Sequence, residues 1–557
     1  MADARFPIEG VSYQTREEAA RYRKAGAWVE TTAGDVLRAT AERLPGKLAL
    51  ISEESRMTYA ELDSASERLG AALIELGLRA GDRALFQMGT VNETAVALFG
   101  CFKAGIIPVA SLPQYREIEM RELARQSEAK AWFVQADFSA FDLVGFVRKV
   151  AGEFPAIRHI VVARGAVPAG MHGFDDLIGS QTTEGARTIL ARQAIGIEDV
   201  IIFQLSGGTT GTPKIIPKFH GEHLGQARNW ARRNAMDANL VSLYALPLIH
   251  NAGVACSLLP VVLLGGTQVL MQRMDVARFF DWVARERVTH ALCIGPAAAQ
   301  MIEYAHVSAH DLSSIKLLTA FNRADLLERH LKVPCANMFG STDGGSMCAG
   351  PDAPPEARFG TVGRPLSDLD EIRLLAPGGE QEVPFGESGE LCIKGPSTTR
   401  GYFRMPEVNR TSFTADGLFR SGDLLRRQRV GEHVCYVFTG RIKDNIDRGG
   451  EKFGAEELES LIVRHPLVAD AKVVAMPDKV YGEKACAFLI MQPRKALLKV
   501  SELGEFLLAQ GLAKFKLPER IEGIDEFPTT RVGKLDKDAL RKMIAEKMAR
   551  EEMGEPQ

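Results

Sequence analysis

The stretch Leu205–Lys214, LSGGTTGTPK, places three glycines and four hydroxyl-bearing residues ahead of a lysine. Backbone N–H groups in a glycine-rich turn can converge on phosphate oxygens, hydroxyl groups add hydrogen bonds, and a lysine adds positive charge. The spacing differs from the common phosphate loop GxxxxGK[ST], because Pro213 stands where that pattern requires its second glycine. Taken alone, the stretch is equally compatible with phosphate binding and with a flexible polar loop.

On both sides of this stretch, short apolar segments alternate with helical patterns. The clearest helix follows Thr58, which forms a capping-box pattern with Glu61, and it ends at Gly77. Apolar segments that resemble buried strands are IIPVAS (106–111), HIVVA (159–163), VSLYALPL (241–248), THALCIG (289–295) and IKLLTA (315–320). This alternation predicts an α/β fold with a large N-terminal domain of packed β-sheets flanked by helices.

The pattern changes near residue 370, where strand-like segments are separated by glycine and proline turns. A helix then starts near Gly454, and a charged helix ends the chain. We predict a large domain over residues 1–442 and a small, mobile α+β domain over residues 443–557. The apolar run Val254–Leu264 is too short to span a bilayer, so we predict that it is core.

Charge and cysteine content limit the function classes. The 557 residues hold 68 Lys and Arg against 71 Asp and Glu, a net charge of -3, which gives no electrostatic reason to expect nucleic acid or membrane as a partner. The 8 cysteines form no CxxC pair, which argues against a zinc site or a disulfide framework. The N-terminus lacks a signal-peptide pattern. We therefore predict a cytoplasmic protein. We also expect a monomer or homodimer.

Four further motifs follow Leu205–Lys214 in the chain. They are MFGSTDGG (338–345), SGD (421–423), GRIKDNIDRGGEKFGAEELE (440–459) and PTTRVGKLDKDAL (528–540). Together the five motifs resemble, in order and in spacing, those of the adenylate-forming superfamily, which includes acyl- and aryl-CoA synthetases, adenylation domains of peptide synthetases, and luciferases. The resemblance extends from about Met57 to Leu540. It implies that the chain activates a carboxylic acid with ATP and Mg²⁺.

The resemblance also assigns roles to individual residues around ATP. Residues that would bind the phosphates are Ser206, Gly207, Gly208, Thr209, Thr210, Gly211 and Lys214. The adenine motif would be Phe339, Gly340 and Ser341, with Thr342 reaching the α-phosphate. Asp423 would bind the ribose hydroxyls, and Arg441 would contact ribose or phosphate. Without the resemblance, Asp423 is better read as a turn or cap residue and Arg441 as a surface arginine.

Three further roles belong to the C-terminal motifs. The resemblance implies that Lys534 is the catalytic lysine, that Lys443 is the hinge, and that Gly449 and Gly450 line the tunnel for a thiol. Lys534 alone resembles a solvated surface lysine. Asp343 stands where the family usually has a glutamate that binds Mg²⁺. Its side chain is one methylene shorter, and a water-mediated contact to magnesium accommodates that difference.

The pair His250–Asn251 resembles the aryl-acid branch, the ligases for salicylate and 2,3-dihydroxybenzoate. His250 would be a gate beside the acid, although alone it also fits a buried core histidine. Asn251 has a donor and an acceptor and can read a 2-hydroxyl or 2-amino group. Cys256 stands where dihydroxybenzoate enzymes tend to have serine and salicylate enzymes cysteine, which favours an unsubstituted 3-position. Simple core packing is the alternative for Cys256.

Two departures from the branch leave the acid open. Ala252 replaces an aromatic residue, and AFNR (320–323) replaces a Gly-Gly-Ala-Lys loop, so Phe321 or Asn322 would line the ring pocket or the adenine site. Salicylate, anthranilate, benzoate and a larger bicyclic acid all fit this pattern. A fatty acyl ligase fits less well, because Asn251 adjoins the gate.

The thiol acceptor also has alternatives. We predict free CoA, because the siderophore-type pocket pattern is broken. The phosphopantetheine of an aryl carrier protein, in a siderophore or natural-product pathway, is the alternative acceptor. A non-catalytic nucleotide- or acyl-binding relative is the rival from another class, and the joint presence of Lys534, Asp423 and Arg441 argues against it.

Overall fold

The computed structural model describes residues 3–206, 213–293, 297–321, 323–448, 451–478, 481–510, 512, 514–530 and 535–552. By its contacts the chain divides into two compact units, Met1–Glu371 with Ile393–Phe419 and Ile372–Cys392 with Arg420–Gln557. The predicted α/β architecture, with a large N-terminal domain and a small C-terminal one, is confirmed. The predicted domain boundary between residues 442 and 443 stays a prediction, and so does the predicted rotation of the small domain about Lys443.

Two sheets lie in the described part of the first unit. Its strands are β1 (Leu48–Ile51), β2 (Arg56–Thr58), β3 (Arg83–Gln87), β4 (Ile107–Val109), β5 (Ala131–Gln135), β6 (His159–Ala163), β7 (His172–Gly173), β8 (Val200–Leu205), β9 (Ile215–Phe219), β10 (Val241–Tyr244), β11 (Thr267–Leu270), β12 (His290–Cys293), β13 (Leu317–Ala320), β14 (Cys335–Phe339), β15 (Met347–Cys348) and β16 (Arg364–Pro365). One sheet has the order β16-β15-β14-β13-β12-β10-β11-β1-β2. The other has the order β7-β6-β5-β3-β4-β8-β9.

Helices surround these sheets. They are α1 (Arg16–Lys24), α2 (Ala33–Arg43), α3 (Tyr59–Glu75), α4 (Asn92–Ala104), α5 (Glu117–Ser127), α6 (Leu143–Ala151), α7 (Phe174–Gly179), α8 (Thr183–Leu190), α9 (His220–Arg233), α10 (Asn251–Gly253), α11 (Leu259–Leu264), α12 (Val276–Glu286), α13 (Ala297–Glu303), α14 (Ala324–Leu331), α15 (Pro355–Gly360) and α16 (Pro406–Thr411). Within the described ranges, no helix is both long and apolar enough to cross a membrane.

The local sequence explains the best-defined helices. α3 begins at the predicted capping box, in which the Thr58 hydroxyl accepts from the Glu61 N–H and the Glu61 carboxylate accepts from the Thr58 N–H. α4 is buried at every position except Glu93 and crosses α3 at two glycines. A Cβ at Gly70 would lie 2.7 Å from the Gly100 carbonyl oxygen, so only glycine permits this close crossing. The predicted core run Val254–Leu264 is buried over most of its length.

The sheet containing β10 positions the site. β10, β12, β13 and β14 are parallel neighbours, so their carboxyl ends meet at one edge of the sheet. The segments that follow β10, β13 and β14 carry His250, Phe321 and the predicted adenine motif, respectively. Loops at the carboxyl ends of parallel strands are the usual place for a ligand in α/β folds. The fold therefore brings three sequence-distant predicted site segments to the same edge.

The second unit is a smaller α+β structure. Its strands are β17 (Glu371–Leu375), β18 (Ser388–Lys394), β19 (Phe419–Val430), β20 (His433–Arg441), β21 (Asn445–Arg448), β22 (Glu451–Gly454), β23 (Val468–Asp478), β24 (Gly482–Met491) and β25 (Arg520–Gly523), and its helices are α17 (Ala455–Ile462), α18 (Val500–Ala509) and α19 (Lys537–Glu552). Strands β17–β20 form a sheet whose residues lie almost entirely in this unit. The other strands pair in the order β22-β21-β24-β23, with β25 beside β24.

Candidate active site

The predicted phosphate loop connects the two strands of an antiparallel hairpin. β8 pairs with β9, and the last pair is Leu205 with Ile215. Beyond that pair, the Ser206 N–H donates to the Lys214 carbonyl at 2.9 Å, and the Lys214 N–H donates to the Ser206 hydroxyl at 3.4 Å. The hairpin thus fixes both ends of the loop. Gly207, Gly208, Thr209, Thr210 and Gly211 lie outside the described residues.

The predicted adenine motif follows β14, which ends at Phe339. Gly340, Ser341 and Thr342 come next, and the Ser341 hydroxyl donates to the Gly344 carbonyl at 2.7 Å. Gly344 has φ +142°, and a Cβ there would lie 2.9 Å from the Thr398 Cα. This close approach lets the Thr399 N–H donate to the Asp343 carbonyl at 2.7 Å. The segment 398–402 therefore supports the loop that carries Asp343.

Tyr402 joins Asp343 to Lys214, a connection that the sequence does not predict. The Tyr402 hydroxyl interacts with the Asp343 carboxylate and acts to lower the pKa of that carboxyl. The Lys214 ammonium lies 4.5 Å from the centroid of the Tyr402 ring, which is within cation–π range. Tyr402 thus contacts the lysine of the phosphate loop and the carboxylate of the adenine motif together. The available signal was only a tyrosine after Gly401, with no pattern tying it to Asp343.

Asp343 has a free coordination position suited to a cation. Its Oδ1 atom is buried and has no hydrogen-bond partner among the described residues. Burial raises the pKa of this carboxyl, while the Tyr402 hydroxyl and the nearby Lys218 ammonium act in the opposite direction. A carboxylate oxygen is the ligand type that Mg²⁺ prefers. Asp343 therefore fits the predicted magnesium role, with substrate phosphates supplying further oxygens.

A second lysine follows Lys214 in the hairpin. Lys218, on β9, is fully buried, and its Nζ donates to Glu222 at 3.2 Å and to the Ser397 carbonyl at 3.0 Å. Because both of these contacts are internal, Lys218 is a fixed support and not a mobile surface charge. Sequence reasoning missed this residue, since a lysine four residues before a glutamate is common on solvated helices.

Three of the predicted acid-binding residues, His250, Asn251 and Cys256, lie in one continuous irregular helix. His250 caps α10, and its Nδ1 accepts from the Ala252 N–H at 3.3 Å. Asn251 is buried, and its Oδ1 has no hydrogen-bond partner among the described residues. Cys256 lies in a π-helical turn, Val254–Leu258, directly after α10. π-Helical turns are frequent at functional sites because they re-aim side chains.

This helix is tied to the phosphate hairpin and to the sheet. The Gln204 Nε2, on β8, donates to the Ile249 carbonyl just before His250 at 3.1 Å. Cys256 packs with Trp230, Met338 and Cys348 in a buried cluster, and burial raises the pKa of its thiol to about 12. The Cys256 side chain therefore behaves as a small neutral apolar group. Phe321, just after β13, is 43% exposed, and Asn322 lies outside the described residues.

The predicted ribose residues meet in the second unit. Asp423 on β19 is the register partner of Arg441 on β20, and the Arg441 Nε donates to the Asp423 carboxylate at 3.0 Å. Asp423 is buried, whereas half of the Arg441 side chain is exposed. The Ser421 hydroxyl accepts from the Asp423 N–H at 3.1 Å and donates to the Leu391 carbonyl. The strand pair thus brings together two residues that were predicted separately.

The predicted hinge follows this pair directly. Lys443 lies in a short 3₁₀ turn, Ile442–Asp444, and burial lowers the pKa of its ammonium. The Asp444 carboxylate beside it pairs with Arg541 of α19 at 2.6 Å. The predicted catalytic Lys534 and the tunnel glycines Gly449 and Gly450 lie outside the described residues, and their roles stay predictions.

Known proteins are similar to this chain over nearly its whole length. Residues 37–403 match the family model of the AMP-binding enzymes, and residues 457–534 match the model of the AMP-binding enzyme C-terminal domain. The chain is 34% identical to a 2,3-dihydroxybenzoate-AMP ligase of Bacillus subtilis, over 97% of this chain and 99% of that protein. It is also 34% identical to a salicylyl-CoA synthase / salicylate adenylyltransferase of a Streptomyces species, over 96% and 98%.

A solved structure agrees with these relatives. The apo structure of MbtA from Mycobacterium smegmatis is 34% identical in sequence, and the match covers 96% of this chain and 98% of that one with a TM-score of 0.69. The resemblance predicted from the five motifs is therefore confirmed, and with it the coarser class of AMP-binding ligase, whereas the acid-thiol ligase activity stays a prediction. The chain belongs to the AMP-binding, or adenylate-forming, enzyme family and lies in its aryl-acid branch.

Proposed function

We propose that this protein activates an ortho-substituted aromatic acid to its acyl-adenylate and transfers the acyl group to a phosphopantetheine thiol. The observation that carries this proposal is Asn251, which is buried with an unpaired Oδ1 directly after the His250 cap. A buried unpaired amide oxygen costs folding free energy unless a ligand completes it. The two relatives named for dihydroxybenzoate and salicylate both act on ortho-hydroxy acids.

The first half-reaction joins the acid to AMP. A carboxylate oxygen attacks the α-phosphorus of ATP, the bond to the β-phosphate oxygen breaks, and pyrophosphate leaves. Lys214 and the Ser206 end of the hairpin hold the phosphates, and Asp423 holds the ribose. Lys534 would bridge the acid carboxylate and the α-phosphate, where negative charge concentrates as the new bond forms. When bound, Mg²⁺ neutralises phosphate charge, and Asp343 would hold it, with Thr342 beside the α-phosphate.

The second half-reaction transfers the acyl group to sulfur. A thiolate attacks the acyl carbon, the thioester forms, and AMP leaves. We propose that the small domain rotates between the two steps about Lys443, which removes Lys534 and brings in Gly449 and Gly450. Glycine at both positions leaves room for the pantetheine arm.

The acceptor is proposed to be the phosphopantetheine of an aryl carrier protein. The Bacillus relative is named for its adenylate product and not for CoA, which supports a separate protein acceptor. Free CoA, which the sequence favoured, is retained as a second candidate because the Streptomyces relative is named a CoA synthase. Both acceptors present the same pantetheine arm, so the tunnel glycines do not discriminate between them.

Two assays test this function in sequence. Acid-dependent ATP–pyrophosphate exchange is measured for benzoate, salicylate, anthranilate and 2,3-dihydroxybenzoate, with a medium-chain fatty acid as a control. Thioester formation is then followed with the best acid, using CoA or a phosphopantetheinylated aryl carrier domain from a siderophore synthetase. We expect exchange with ortho-substituted acids and faster transfer to the carrier domain. Faster transfer to CoA would make CoA the preferred acceptor. The absence of exchange with every aromatic acid would contradict the proposal.

The role of Asn251 makes a selective prediction. Leucine at this position keeps the side-chain volume but removes the amide, so Asn251→Leu is expected to lower kcat/KM for salicylate about tenfold while changing benzoate about twofold or less. The readout is pyrophosphate exchange with the two acids side by side. An equal loss for both acids would instead assign Asn251 to the structure of the pocket.

A further inference from the structure

One face of α9 carries three buried polar side chains with unused hydrogen-bonding capacity. His223, Gln226 and Trp230 follow one another at helical spacing, and each is at most 4% exposed. Among the described residues, no other side chain or backbone group pairs with the His223 ring nitrogens, the Gln226 Oε1 or the Trp230 Nε1, although the His223 ring and the Gln226 amide lie close enough to interact with each other. Buried polar atoms are nearly always paired, so three in a row on one helix face require an explanation.

The contacts of this face locate it between the adenine motif and Cys256. The Gln226 Nε2 donates to the Ser346 hydroxyl at 3.4 Å, and a Cβ at Gly340 would also meet that hydroxyl at 3.4 Å. One turn later, Trp230 packs against Cys256 and Met338. The face of α9 therefore runs from the predicted AMP site to the wall that carries the predicted acid-binding residues.

The chemistry of the face suits a neutral polar ligand. Burial, and next the Lys218 ammonium, lower the pKa of His223 to about 3, while the neighbouring Gln226 side chain acts in the opposite direction, so the ring is neutral and has one donor and one acceptor. Gln226 adds an amide and Trp230 an N–H donor. No carboxylate is part of this face, which therefore favours a hydroxyl, an amino group or a ring nitrogen over a cation.

We propose that Gln226, supported by His223 and Trp230, binds a second polar group on the ring of the aromatic acid, apart from the ortho substituent read by Asn251. This inference rests on the proposed function and adds that the true substrate carries two hydrogen-bonding groups. The Cys256 thiol is a weak hydrogen-bond partner. The second polar group of the acid is therefore expected on the side of the ring that faces α9. Gln226 is thereby a specificity-determining residue for the same reaction.

The test compares acids that differ only in this second group. Pyrophosphate exchange is measured for salicylate, 2,4-, 2,5- and 2,6-dihydroxybenzoate and 3-hydroxypicolinate, in the wild type and in Gln226→Leu. We expect the wild type to prefer at least one disubstituted or ring-nitrogen acid over salicylate by about tenfold in kcat/KM. In Gln226→Leu that preference should disappear through KM, while the rate with salicylate changes about twofold or less.

Controls separate specificity from structure. Asn229→Leu makes the same amide-to-alkyl change on α9 outside this face and is expected to leave the preference intact. Gln226→Met serves as a second variant of similar volume if the leucine variant unfolds on heating earlier than the wild type. A wild type that favours salicylate over every other acid, or an equal loss for all acids in Gln226→Leu, would overturn the inference and leave the face filled by water only. No exchange with any acid would instead contradict the proposed function itself.

Discussion

Alanine in place of Lys534 is expected to reduce acid-dependent ATP–pyrophosphate exchange by about 10²–10³-fold, which is the usual cost of removing one group that stabilises charge in a transition state. The ammonium would sit between the attacking carboxylate and the α-phosphate, and no other residue of the proposed set replaces it there. Pyrophosphate exchange with the best acid of the panel measures the effect.

The same variant should keep its fold. The loop that contains Lys534 starts and ends at a β-bridge between Thr529 and Leu535, and the Asp536 N–H donates to the Pro528 carbonyl at 2.8 Å. Leu535 also packs against a buried cluster that includes Phe488 and Leu540. These contacts fix the residues on either side of the segment that contains Lys534. The melting temperature is therefore expected to match that of the wild type.

A second assay and a matched control sharpen this result. Because the proposed rotation removes Lys534 before thiol attack, Lys534→Ala should convert a synthetic acyl-adenylate to the thioester at nearly the wild-type rate. Lys542→Ala removes a lysine of α19 whose side chain is 77% exposed, and we expect no change in either half-reaction. Wild-type exchange in Lys534→Ala, or loss of both half-reactions together, would refute the assignment.

The elements predicted best are those that local chemistry determines. The capping box of Thr58 and Glu61 and the apolar strands β10, β12 and β13 depend on a few neighbouring residues, and the structure has them where the sequence placed them. The pairing of Asp423 with Arg441 was not predicted, although the short turn between β19 and β20 places these two residues opposite each other. Patterns within one motif were therefore readable from the sequence.

The residues that were missed depend on packing between distant segments. Tyr402 reaches Asp343 only because Gly344 permits a close approach to Thr398, and no local pattern encodes that meeting. His223 and Gln226 stand in a polar-looking stretch that resembles a solvated helix face. The structure buries both, since α9 packs between the hairpin, the π-helical turn and β14. Polar residues in such a helix cannot be assigned to the site without the packing.

Asp343→Asn is expected to lower pyrophosphate exchange by about a hundredfold. The change replaces a charged carboxylate, whose buried Oδ1 is proposed to face the cation, with a neutral amide. The half-saturating Mg²⁺ concentration should rise in the same variant. Asp343→Glu keeps the charge and is expected to retain more activity than the asparagine variant. Exchange measured over a magnesium titration gives both quantities.

Stability separates a functional carboxylate from a structural one. Burial raises the pKa of Asp343, so its charged form is disfavoured by the fold. The neutral amide should therefore leave the protein at least as stable as the wild type, even though exchange falls. A residue kept for folding would show the opposite, a lower melting temperature with proportionate loss of activity.

Two further variants test whether the residues around Asp343 affect its role in magnesium binding. Tyr402→Phe removes the hydroxyl that interacts with Asp343 but keeps the ring that contacts the Lys214 ammonium, so we expect a weaker magnesium response and a loss of exchange of about tenfold or less. Asp352→Asn makes the same carboxylate-to-amide change at an exposed position of the following loop and should leave magnesium dependence unaltered. The magnesium titration gives the half-saturating Mg²⁺ concentration separately from the rate. If that concentration is unchanged in Asp343→Asn, the cation is bound by other ligands and Asp343 has no part in the mechanism.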